Sequence, residues 1–243
     1  MTNFVLIHGA WHGAWCWEFV QRGLQGLGHK VIAPDLPGMG ADQTPLKDVS
    51  LSHWADFVCD LIRPLDEPVV LVGHSRGGIV ISEVAERLPR RVSTLVYLAA
   101  FLVPNCKTLQ EMLALGEARE VAKNAINMGD DGISSTIAPH RAGPIFYNTS
   151  TPALQARAAA LLTPEPMMSF VTPVTVSPAN FGSVKRAYIE CLQDNAIPIE
   201  VQRAMQAQLP CTPVITLDCD HSPFYSQHQK LVEALTSISG PGY

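Results

Sequence analysis

Between residues 69 and 81 an apolar, β-branched run, VVLV, meets GHSRGG and then turns to helical spacing. A polar residue at a strand tip adds nothing to a core, and glycine is a poor opener for a helix, so packing alone does not account for these residue types. Gly73-His74-Ser75-Arg76-Gly77 fits G-x-S-x-G in the strand–turn–helix setting that a nucleophilic serine requires. There Ser75 takes a strained backbone conformation that projects its hydroxyl, while Gly73 and Gly77 remove side chains that would collide with the tight turn. Gly78 lets the helix approach the sheet closely. The competing reading, a phosphate-cradling turn, lacks both G-x-x-x-x-G-K-[ST] and a G-x-G-x-x-G after the first strand.

A serine hydroxyl is a weak nucleophile until a base takes its proton, and the usual base is a histidine oriented by a carboxylate. Of the eight histidines, only His221 and His228 follow the last expected strand, and His228 falls within the terminal helix. His221, directly after VITLDCD, is the candidate base. The chain order serine, acid, histidine places the acid on a loop between them. Asp194, between RAYIECLQ and NAIP, fits that place. Asp218 and Asp220 are rivals, but both precede His221 by at most three residues, where reaching the far ring nitrogen is awkward and a loop-structuring role is simpler.

Acyl transfer also needs donors for the developing oxyanion. The amide of Arg76, at the start of the helix after the nucleophile, is one, and the amide of Ala10 in HGAW is the other, with Gly9 leaving room. His8 and His12 form H-x-x-x-H, yet they straddle a strand end and a loop with no Glu to complete H-E-x-x-H. Hydrogen-bonded loop histidines are therefore expected, and no metal or cofactor. Trp11, Trp15 and Trp17 read as packing, with Trp11 able to wall a pocket.

The elements that must carry these groups follow from periodicity. Strands are expected at 3–8, 30–35, 68–73, 94–100, 184–193 and 213–218, with helices near 14–27, 51–65, 77–88, 198–208 and 226–237. Continuous apolar strands separated by amphipathic helices point to an α/β fold, a mostly parallel sheet of about six strands covered on both faces. The interval from Cys106 to Pro178 differs: rich in Ala, Met and Pro, broken by GDDG and APHRAGP, with no strong strand. It is too long for a structureless loop, so residues 107–178 are expected to form a helical cap inserted in a single domain, 1–243. Its Phe146, Met167, Met168 and Phe170 are candidates for an apolar acyl or aromatic site, although such residues also serve as a cap's own core.

With 47% apolar and 16% charged residues over 243 positions, the chain is of ordinary globular composition, able to build one large core. A net charge of −5 leaves no basic stripe for phosphates, so a small-molecule substrate is expected, with neither nucleic acid nor membrane as partner. The N-terminus lacks the pattern of a signal peptide, and the longest apolar run, TLVYLAAFLVP, is about half a bilayer span. Six cysteines scattered without a CxxC pair fit reduced thiols and a cytoplasmic location.

These blocks, FVLIHGAWHGAWCW, GHKVIAPDLPGMG, VVLVGHSRGG, LVYLAAF, GSVKRAYIECLQDNAIP and DHSPFYSQ, resemble the α/β-hydrolase superfamily. Within it they resemble the plant-type methylesterase and hydroxynitrile lyase family with its bacterial esterase relatives. The resemblance implies a serine hydrolase with Ser75, His221 and Asp194 as triad, Ala10 and Arg76 as oxyanion donors, and Phe101 and Ser222 lining the pocket. It also makes a homodimer plausible. The lyases of this family carry Thr in the first-strand loop and Lys after the catalytic histidine, where Gly9 and Ser222 stand here. Without that cation, ester hydrolysis is expected over carbon–carbon cleavage. Hydrolysis of carbamate, amide or pyrethroid-like substrates competes with it, as does a non-enzymatic receptor role.

Overall fold

The structure, a computed structural model, describes residues 1–240. Six strands form its main sheet: β1 (Asn3–Ile7), β2 (Lys30–Ile32), β3 (Val69–His74), β4 (Val92–Leu98), β8 (Lys185–Cys191) and β9 (Val214–Leu217). Their order is β2-β1-β3-β4-β8-β9, and every pairing is parallel. β3 is buried at all six positions, as its unbroken apolar run requires of a central strand covered on both faces.

Helix α1 (Glu18–Gly26) links β1 to β2, whereas α2 (Leu51–Ile62) and α3 (Gly77–Arg87) serve crossovers running the other way along the sheet. Right-handed crossovers then put α1 on one face and α2 with α3 on the other. The packing agrees: α2 lies on α3, and α1 on the last helix, α10 (His228–Ile238). Helix α8 (Ile199–Gln208) joins β8 to β9, and the short α9 (Pro223–Ser226) precedes α10. Because all six strands point the same way, the loops after β1, β3, β8 and β9 gather at one sheet edge, where open α/β sheets bind ligands.

The excursion between β4 and β8 holds more than the helices expected of it. It does hold helices, α4 (Leu109–Leu113), α5 (Pro139–Phe146), α6 (Pro152–Leu161) and α7 (Met168–Val171). It also holds a three-stranded antiparallel sheet, in which β6 (Ser134–Ile137) lies between β5 (Ile126–Met128) and β7 (Glu165–Pro166). These strands are two to four residues long, and one contains proline, so no alternation marks them. Local chemistry supplies the stops instead: the Asp131 carboxylate accepts the amides of Ile133 and Ser134 at 2.9 Å each, turning β5 back into β6. The returning chain is fastened to α3, whose Glu83 accepts from the Thr175 amide and Glu86 from the Ser177 amide, both at 2.7 Å.

Candidate active site

Ser75 sits directly after β3 with φ +53°, a left-handed conformation that is strained for any residue bearing a Cβ. It is held there from two sides. Its amide donates to Leu98 O at 3.3 Å, and its carbonyl accepts from the amides of Gly78 at 3.1 Å and Phe101 at 3.0 Å. A Cβ at Gly73 would come within 2.7 Å of Gly77 O, so the flanking glycines are needed for the chain to fold back on itself.

His221 follows β9 and Asp194 follows β8, and both are buried. The His221 Nδ1–H donates to Asp194 Oδ2 at 2.7 Å, leaving Nε2 with its lone pair free for a proton. Asp194 is fixed in turn: Oδ1 accepts the amides of Ala196 and Ile197 at 2.8 Å each, and Oδ2 accepts Gln202 Nε2 at 3.1 Å. The other acidic residues are differently employed. Asp218 accepts from Gln193 at the surface. Asp220 is buried and accepts from the Thr149 and Ser222 amides and the Ser150 and Ser226 hydroxyls, stitching the His221 loop to the excursion. His228 is half-buried at the start of α10, its ring 5.2 Å from that of Phe19.

The loop after β1 meets Ser75 closely: a Cβ at Gly9 would lie 2.8 Å from Ser75 Cβ. Among the described residues, neither the Ala10 nor the Arg76 amide has a protein acceptor, and both residues border the same cavity as Ser75. The H-x-x-x-H histidines organise this loop. His8 Nε2 accepts the Leu36 amide at 3.1 Å, which puts the ring proton on Nδ1, donating to Gly9 O at 2.9 Å. His12 Nδ1–H donates to Ala10 O at 2.7 Å, and its Nε2 accepts from the Tyr147 hydroxyl at 2.5 Å. His74 Nε2–H donates to His221 O at 2.8 Å, and the two rings stand 4.5 Å apart. Burial is the first cause holding all three rings neutral, depressing His8 and His74 well below the ordinary range and His12 to about 3.

The cavity, about 180 Å³, is lined at its floor by Ala10, Ser75 and Arg76. Its walls are mostly apolar, formed by Trp11, Phe101, Phe146 and Phe170 with Leu109, Ile137, Ile145, Ile197 and Val201, and Glu117 is the acidic residue among the lining. The Phe146 ring is 5.8 Å from His221 and 5.9 Å from Trp11. Met168 and Ser222 do not border it, nor does Met167. Met168 opens α7, whose Phe170 faces the cavity instead, and the Ser222 amide is turned to Asp220. Ile137 of β6 and Ile145 of α5 border the cavity as well, and sequence reasoning placed neither element.

A further pair escaped it altogether. The fully buried Arg76 guanidinium donates to Glu165 Oε1 through Nε at 2.9 Å and lies 4.0 Å over the Trp54 ring. Glu165, also fully buried, accepts from Ser169 Oγ at 2.9 Å and from the Trp11 amide at 3.2 Å.

The sequence from 4 to 234 matches the family model described as "Alpha/beta hydrolase family". The chain belongs to the alpha/beta hydrolase family. Among its relatives are methylesterase 7 of Arabidopsis thaliana, 31% identical over 98% of this chain and 96% of that protein, and methyl jasmonate esterase 1 of Vitis vinifera, 31% identical over 97% and 96%. The putative chloroplastic methylesterase 11 of Arabidopsis is 34% identical, and this chain spans 64% of its length. Among solved structures, a pyrethroid hydrolase from Sphingobium faniae JZ-2 superposes with a TM-score of 0.88 at 30% identity, covering 99% of this chain and 98% of that one. Polyneuridine aldehyde esterase does so with 0.88 at 25% identity, covering 99% and 100%. This alpha/beta hydrolase thus has the methylesterase-like relatives that its motifs resemble, and its six-stranded parallel sheet is the expected one. No helix among the described residues is long and apolar enough to cross a membrane.

Proposed function

We propose that the chain is a carboxylic ester hydrolase acting through Ser75, His221 and Asp194 on a small ester with an apolar or aromatic acid part. The observation that carries this is the buried His221–Asp194 contact of 2.7 Å together with a left-handed Ser75 at the floor of an apolar cavity. Ser75 Oγ attacks the ester carbonyl as its proton passes to His221 Nε2, and the amides of Ala10 and Arg76 hold the oxyanion. Collapse breaks the bond to the alkoxy group, which leaves as an alcohol with the proton from His221. Water, deprotonated by the same ring, then releases the acid and restores Ser75. The methylesterase and pyrethroid hydrolase relatives support ester substrates, and the cavity walls support an apolar acyl group.

Carbon–carbon lyase chemistry is less well supported. At Gly9, where those lyases carry Thr, a Cβ would already press on Ser75, and Ser222 provides no cation after the histidine. The same reading takes the chain as one domain with residues 107–178 as its cap, independent of metal or organic cofactor. Six free cysteines support a cytoplasmic setting, and homodimerisation follows the family resemblance alone. The test is Ser75→Ala assayed on a panel of methyl and p-nitrophenyl esters. A fall in kcat on the order of 10⁶ is expected, with the fold and product binding intact. Turnover of wild-type magnitude would refute the assignment.

A further inference from the structure

Arg76 contributes more than its amide to the region around Ser75. Its Nη2 donates to Gly9 O at 3.1 Å. That carbonyl belongs to the same peptide unit as the Ala10 N–H. The chain's only cis peptide among the described residues is Thr212–Pro213, so the Gly9–Ala10 unit is trans, with C=O and N–H on opposite sides. A cation seated on the carbonyl therefore fixes the plane of the unit and aims the N–H away from itself. It also draws electron density toward the oxygen, making the N–H a stronger donor, as in any hydrogen-bonded amide chain.

The guanidinium is itself held by the excursion. Glu165 takes Nε at 2.9 Å and Nη2 at 3.3 Å, and the Trp54 ring covers the guanidinium face. The same carboxylate accepts the Trp11 amide, while Trp11 O accepts the Thr163 amide at 2.9 Å. Both peptide units flanking the Ala10 α-carbon are thus tied down. Gly9 O is fixed by Arg76 and His8, and the Trp11 amide by Glu165, with His12 on Ala10 O. A buried ion pair is costly to desolvate and is seldom a net source of stability, so its placement here calls for another reason.

We infer that the Arg76 side chain, clamped by Glu165, is a positioning residue: it aims and polarises the Gly9–Ala10 peptide so that the Ala10 N–H is a ready oxyanion donor. This rests on the reading of Ala10 as that donor. It makes residues 89 positions apart, one at the nucleophile turn and one in the excursion, a single device. The excursion then sets the rate as well as the pocket.

The experiment replaces both charges together, Arg76→Met with Glu165→Met, so that neither ion is left buried alone. The inference expects kcat to fall roughly 10- to 100-fold, part of what deletion of a whole oxyanion donor costs, with KM within about threefold. The affinity of a trifluoromethyl ketone, which forms an oxyanion on Ser75, should weaken by the same factor as kcat/KM, while that of the matching methyl ketone stays unchanged. A folded double variant with kcat within threefold of wild type, or equal weakening of both ketones, overturns it. Should the Met pair fail to fold, Arg76→Gln with Glu165→Gln gives the same readouts, since a Gln at 76 is too short to serve Gly9 O. If Ser75→Ala retains turnover, the hydrolase reading fails instead, and the two failures are told apart.

Discussion

Replacing Asp194 with Asn tests its proposed role as the orienting carboxylate, and the structure fixes how the new amide must lie. Oδ1 accepts two buried backbone amides, from Ala196 and Ile197, at 2.8 Å each. Turning an NH₂ toward them would leave two donors facing a third, at about 1–3 kcal/mol for each unsatisfied group. The Asn carbonyl therefore keeps that side, and its NH₂ takes the place of Oδ2, against His221 Nδ1 and Gln202 Nε2. His221 can meet an NH₂ only by presenting a lone pair at Nδ1, which moves its proton to Nε2, the nitrogen that must accept from Ser75. In a triad this wrong tautomer costs about 10⁴ in kcat, or roughly 5.5 kcal/mol of transition-state stabilisation. Gln202 cannot relieve the clash by flipping, because its Nε2 also donates to Ile197 O at 2.7 Å and its Oε1 accepts the Cys191 amide at 3.1 Å. A stability loss of about 1–3 kcal/mol should accompany the kinetic one, read as a Tm lowered by several degrees. Steady-state hydrolysis of a short p-nitrophenyl ester gives the first number and calorimetry the second. Asp218→Asn should be silent in both, and Asp220→Asn should lower Tm more than kcat. If Asp194→Asn keeps kcat within tenfold of wild type, the reasoning is wrong.

Three further outcomes follow from the same contacts. His8, His12 and His74 are neutral when folded, with pKa values below the unfolded value of about 6.5. The unfolded chain thus binds protons that the folded chain does not, and stability is lost as pH falls below about 6.5. The loss is about 1.4 kcal/mol per histidine by pH 5.5, together about 4 kcal/mol. Denaturant titrations at pH 7.5 and 5.5 measure it, and His12→Gln should remove about a third of the difference; a pH-independent midpoint would contradict the assignment. Gly9→Ala should lower kcat by about 10² or more, because its Cβ, 2.8 Å from Ser75 Cβ, must push the Ala10 amide out of line. Wild-type kcat in that variant would show that the loop adjusts freely. Phe146→Ala, which enlarges the cavity beside His221, should shift kcat/KM toward bulkier acyl groups by about tenfold relative to acetyl, and an unchanged acyl-chain profile would exclude Phe146 from the substrate wall.

The sheet was legible because its strands are buried on both faces and read as unbroken apolar runs, of which VVLV before Gly73 is the clearest. The small sheet in the excursion was not: INM, SSTI and EP hold together through partners brought by tertiary folding, and nothing in their spacing announces it. Ser75, His221 and Asp194 could be proposed from the sequence because turn chemistry and chain order narrow the candidates. Glu165 could not. Nothing in the spacing of LLTPEPM ties its carboxylate to Arg76, 89 positions earlier, and the pair shows only in the fold. The lining of the cavity was half legible for a similar reason. Trp11, Phe101 and Phe146 border it, while Met168 and Ser222 do not, since the direction in which a short helix or a loop turns its side chains is decided by packing.

The central claim is that Ser75 is a nucleophile activated in place by His221 and Asp194. Incubation with a fluorophosphonate, followed by peptide mapping of the adduct, tests it most directly. The account predicts one phosphonyl group on Ser75, complete loss of esterase activity in step with labelling, and labelling slowed by orders of magnitude in Asp194→Asn. An adduct on any other residue, or full activity retained with Ser75 modified, would contradict it.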